Sequence, residues 1–128
     1  MKNKTYAGFL ILGLLLGGCQ DKSYAGFRSR GQAKSRELVD ELKAIRTKDQ
    51  LIERRHLLFR HFNDLADLSD QVSLYASTHP NELIPPLSSN EQELSNLLRS
   101  ELLRVYRLDG GREIIDECRL YRNKNFYY

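Results

Sequence analysis

QAKSRELVDELKAIRTKDQLIERRHLLFRHFNDLADLSDQVSLYASTH, residues 32–79, holds neither glycine nor proline, and its apolar residues recur at helical spacing. Leu38, Ile45, Ile52, Phe59 and Ala66 recur every seven residues, and Leu51, Leu58, Leu65 and Val72 form a second row beside them. Two such rows make one broad apolar face on a helix. Within the stretch, Thr47-Lys48-Asp49-Gln50 has the form of a capping box, with a hydroxyl at the N-cap and an amide side chain three residues on. It predicts a break, with one helix near 32–46 and a longer one near 48–77. The alternative is an unbroken helix over 32–77 that dimerises as a coiled coil.

Downstream, Thr78-His79-Pro80 stops the helix and Pro85-Pro86 stiffens a turn-rich connection. Leu83, Ile84 and Leu87 are apolar for a loop and are expected to pack across the open end of a bundle, with a binding lip as the sharper reading. Ser88 or Ser89 caps a third helix whose buried face is Leu94, Leu97, Leu98, Leu102 and Val105. Asp109-Gly110-Gly111 ends it. A fourth helix follows from about Arg112 to Arg122, with Ile114, Ile115, Cys118 and Tyr121 on one side. The aromatic tail Asn123-Lys124-Asn125-Phe126-Tyr127-Tyr128 is expected to fold back onto the bundle. The fold class is therefore all-α, a small bundle of three to four helices over residues 32–128.

Upstream, Lys2 and Lys4 precede an apolar run from Tyr6 to Leu16, then Gly17, Gly18 and Cys19. A charged start, an apolar middle and small residues before a break make an export signal. The run is too short for a spanning helix, which needs roughly 20 apolar residues. Leu16-Gly17-Gly18-Cys19 resembles the lipobox of bacterial lipoproteins. That resemblance implies cleavage after residue 18, diacylation of the Cys19 sulfur and a mature protein held at a membrane. Gln20 rather than Asp follows the cysteine, which in Gram-negative lipoproteins permits transfer to the periplasmic side of the outer membrane. Residues 19–31 read as a flexible tether. Tyr24 and Phe27 alternate there with Lys22, Arg28 and Arg30, a mix that suits either a headgroup layer or, as adopted here, an ordinary solvated linker.

With Cys19 committed to lipid, Cys118 is the leftover thiol and is expected to be a buried small hydrophobe. The net charge of +3 conceals an asymmetry. Residues 20–60 hold eleven bases and six acids, residues 61–98 hold six acids and no Lys or Arg, and residues 99–128 hold seven bases and five acids. A dipolar, exported chain is a poor candidate for nucleic-acid binding.

No constellation for catalysis, metal or cofactor stands out. His56 and His61 are five apart and point about 140° away from one another on a helix. The Gly110-Gly111 pair lacks the other glycines of a phosphate loop, and no serine lies in a nucleophile elbow. Asp64, Asp67 and Asp70 lie three apart near a helix C-terminus, where the macrodipole disfavours them, so Arg99, Arg104 or Arg107 of the third helix is expected to compensate. These acids, with Arg54, Arg55 and Arg60, are the candidate surface for a protein partner. The reading is a monomeric, non-catalytic interaction or scaffold module. A small envelope hydrolase, or an enzyme inhibitor, built on His61 and neighbouring acids is the alternative.

Overall fold

A computed structural model describes residues 21–125, with side chains through Leu120. The described chain is all helical, with no strand: α1 (Tyr24–Lys43), α2 (Lys48–Thr78), α3 (Ser89–Tyr106) and α4 (Gly111–Asn125). The expected break is real. Gln50 N–H donates to Thr47 Oγ1 (3.2 Å), while the Gln50 side-chain oxygen accepts from the N–H groups of Arg46 (2.7 Å) and Thr47 (3.2 Å). This reciprocal cap satisfies donors that the start of a helix leaves orphaned. It stops α1 at Lys43 and turns the chain back. The continuous helix on which a 32–77 coiled coil would rest is not formed.

The break also selects which apolar row is buried. Ile45, now in the turn, is fully buried, but Ile52 is 51% exposed because α2 starts its own phase at Lys48. Leu51 and Leu58 become the buried row, joined by Leu38, Leu42, Val105, Ile114, Ile115 and Cys118. Phe62 and Leu65 are half-buried at the edge of this core.

α1 begins at Tyr24, eight residues before the expected start, so residues 24–31 belong to the domain and not to a flexible tether. Ser23 caps it by accepting from Gly26 N–H (3.2 Å). Of its two glycines, Gly31 lies in the helix interior and costs about 1 kcal/mol relative to alanine. Packing offsets that cost. Tyr24 and Phe27 are buried edge-on against Tyr75, with ring centroids 5.0 and 5.5 Å away. Arg28 donates to the carbonyls of Pro85 and Pro86 and pairs with Glu91 (3.2 Å).

α1 packs between α2 and α3, and α4 packs on α2 and α3. Arg28 at the start of α1 meets Glu91 at the start of α3, and Arg104 near the end of α3 meets the end of α1, so these two helices run side by side. With 15 residues against 31, α4 covers only the first half of α2, its Cys118 Sγ donating to the Arg55 carbonyl (3.8 Å). The molecule therefore has a closed end, where the Thr47 and Gly110 turns lie and four helices surround the core. At its open end lie Ser23, the 80–88 loop and the last turns of α2. The tight closed-end turn needs two glycines for different reasons. Gly110 sits at φ 75°, and a Cβ on Gly111 would lie 2.0 Å from the Val105 carbonyl oxygen.

Candidate functional site

The charge asymmetry along the sequence is largely cancelled in space. Among residues 21–36, Lys22, Arg28, Arg30, Lys34 and Arg36 oppose only Asp21, and this basic half of α1 runs between the acidic halves of α2 and α3. Lys34 pairs with Asp64 (3.2 Å) and Arg28 with Glu91, so Asp64 is compensated from α1 and not, as expected, by an arginine of the third helix. Arg104 has another role. Its guanidinium donates to the carbonyls of Ile45 (2.8 Å) and Leu42 (2.6 Å) and pairs with Glu101 (2.9 Å), closing the C-terminal end of α1. A cation there satisfies orphan carbonyls and faces the negative end of the helix.

The candidate partner-binding residues do not converge. Arg54 pairs with Glu41 of α1 (2.8 Å) and Arg55 with Glu117 of α4 (3.6 Å), so the two adjacent arginines pin α2 to different neighbours. Arg60 is exposed and makes no ion pair among the described residues. Asp67 and Asp70 are exposed farther along α2, each with an interaction of its own. Arg60 and Asp67, seven residues apart, fall on the side of α2 turned away from Leu51 and Leu58 at about 100° per residue.

His61 meets neither Asp64 nor a serine. Its Nδ1 is buried with no hydrogen-bond partner, and the nearest acid, Glu37, is 4.0 Å away. Among the described residues, no group of three or more His, Cys, Asp or Glu is placed to hold a metal ion. Cys118 is buried as expected, and burial, reinforced by Glu117, pushes its thiol up to about 11. No described helix is long and apolar enough to cross a membrane. Cys19 and residues 126–128 of the aromatic tail lie outside the described residues, while residues 123–125 continue α4.

A feature that the sequence reading placed wrongly is the loop at the open end. Leu83, Ile84 and Leu87 do not pack across the bundle. They are 88, 67 and 57% exposed, with Leu74 of α2 at 67% nearby in the chain's last helical turns before the loop. Arg28 explains it. The loop is held through the Pro85 and Pro86 carbonyls, which ties its backbone to α1 and leaves the apolar side chains outside. Beside the loop, Lys22, Phe27, Arg30, Leu74, Tyr75 and His79 border a cleft of about 750 Å³. His79 stacks on Tyr75 (4.0 Å), and Arg30 lies 4.8 Å over the Phe27 ring. The Tyr75 hydroxyl donates to Glu82, which together with desolvation pushes the phenol up to about 12.

The same end fixes the chain leading to Cys19. Asp21 accepts from Ser23 N–H (3.0 Å) through its carboxylate and from Arg30 Nη1 (2.8 Å) through its carbonyl. Hydrogen bonds from Ser23, helped by Arg30, hold the Asp21 carboxyl below the usual range. The carbonyl lies so close to α1 that a Cβ on Gly26 would be 2.2 Å from it. Comparison of the chain with protein-family models, curated proteins and solved structures gives no match.

Proposed function

We propose that the chain is a lipoprotein of the bacterial cell envelope, anchored through acylated Cys19, whose helical domain is a non-catalytic module that binds a protein partner. In a Gram-negative host it resides on the periplasmic side of the outer membrane. Leu16-Gly17-Gly18-Cys19 after an apolar run supports the anchor. The observation that carries the binding role is the outer side of α2, where Arg60 is exposed, makes no ion pair among the described residues and shares a side with Asp67. An exposed guanidinium presents donors in a rigid fork suited to a partner's carboxylates.

Arg54 and Arg55 support the fold and Arg60 the interaction, so charge reversal separates the roles. Arg60→Glu should abolish retention of a cross-linked envelope partner while leaving urea unfolding within about 0.5 kcal/mol of wild type. Reversing Arg54 instead sets a carboxylate against Glu41 and should lower stability. Full partner retention by a folded Arg60→Glu protein would contradict this binding surface.

A further inference from the structure

The open end carries a second membrane contact: we propose that Leu83, Ile84 and Leu87 seat in the interfacial layer of the bilayer that holds the acylated Cys19, standing the bundle on that end. The proposal rests on acylation of Cys19 and adds to it an orientation. Its first support is chain length. Two peptide links separate Cys19 from Asp21, so their Cα atoms are at most about 8 Å apart whatever path the chain takes. Asp21 in turn is tied to the first turns of α1 by Ser23, Arg30 and the close approach at Gly26. No slack remains to hold the domain away from the membrane, and the end of the molecule bearing Asp21 is the end pressed to it.

Its second support is what that end displays. Arg28 holds the 80–88 loop beside the start of α1, and the most exposed large apolar side chain of the described residues, Leu83, is on this loop with Ile84 and Leu87. By contrast Tyr24 and Phe27, the aromatics closest in sequence to Cys19, are buried against Tyr75 and are withdrawn from any headgroup layer. Charge at this end is balanced, Lys22, Arg28 and Arg30 standing with Asp21, Glu82 and Glu91. The contact is therefore apolar in origin and should form on zwitterionic lipid. Three short aliphatic side chains give only weak binding by themselves, and the acyl anchor makes the contact intramolecular in effect, which raises its occupancy without further affinity.

The chain contains no tryptophan, so Ile84→Trp introduces a single reporter. The acylated full chain, its lipid confirmed by the mass of the Cys19 peptide, is placed in phosphatidylcholine vesicles whose acyl chains carry bromine. Emission from position 84 should shift to the blue and be quenched. The same reporter in an Ile52→Trp variant, at a half-exposed site in the first turns of α2 near the closed end, should stay unquenched. Amide exchange of the unsubstituted acylated chain gives a readout free of the added indole, and residues 81–88 should exchange more slowly in vesicles than in the Cys19→Ala protein in buffer. Acylated protein with position 84 unquenched and exchange unchanged would overturn the contact while leaving the anchor intact. A Cys19 peptide without lipid would overturn the anchor and this contact with it. Slowed exchange only on adding an envelope extract would assign the loop to a protein partner and also overturn it.

Discussion

The two ends of the bundle are built from the same helices yet are held by different means. At the closed end every helix contributes a side chain to one apolar cluster, and Leu42, Leu51, Leu58 and Val105 have no exposed surface at all. At the open end α4 is absent, α2 has no fully buried residue after Leu58, and packing rests on the Tyr24, Phe27 and Tyr75 rings together with Arg28. Coverage by four helices makes a core, whereas coverage by three leaves a surface that something else can use. Stability is thereby concentrated at the closed end, and the cost of substitutions should divide accordingly.

The largest difference should appear in the apolar row of α2. Leu58→Ala removes a fully buried side chain and should cost about 2–5 kcal/mol. Leu65→Ala, two turns on and half-buried, should cost roughly 1–2 kcal/mol. Urea denaturation of both variants measures the gap, and equal costs would mean that the open end is as well covered as the closed one.

Next in size is Arg104. Losing its two charge-assisted bonds to the Leu42 and Ile45 carbonyls should cost about 1.5–3 kcal/mol in Arg104→Ala. Arg104→Lys should recover only part of it, since an ammonium lacks the planar fork that reaches two carbonyls together. A denaturation midpoint for Arg104→Lys equal to wild type would reduce this residue to a point charge.

How much of this was legible in the sequence depends on whether the signal was local. The Thr47 to Gln50 cap and the Ser88 cap each act within a few residues and lie where the pattern put them, whereas α3 already ends at Tyr106 with Arg107 as its C-cap and Gly110 turns the chain into α4. Burial of Cys118 followed from its spacing to Ile114 and Ile115. The start of α1 was hidden because Gly26 and Gly31 read as linker, although Tyr24, Gly31, Leu38 and Ile45 continue one seven-residue row. The contacts of Arg28, Arg54, Arg55 and Arg104 link residues up to 63 apart in number, as does the bond from Cys118 to Arg55, and such partners have no local signature. The outward setting of Leu83 and Ile84 depends on Arg28, so it too was unreadable.

The smallest of these effects sharpens the comparison at the open end itself. At a helical glycine with room, alanine stabilises by about 0.5–1 kcal/mol. Gly31→Ala should do so, because its Cβ meets only Leu68 Cδ2 at 3.5 Å. Gly26→Ala should instead destabilise, since its Cβ collides with the Asp21 carbonyl, and it should free the residues before Ser23. Thermal melts of the pair report the sign, and a stabilising Gly26→Ala would show that the Asp21 turn is not held against α1.

Acylation of Cys19 is the point on which the functional account turns, and metabolic labelling with a fatty-acid analogue tests it most directly. Wild-type protein should carry the label and fractionate with membranes, while Cys19→Ala should lose both the label and lipoprotein-type processing. Undiminished label on the Cys19→Ala protein, or a wild-type protein that takes up none, would contradict the account.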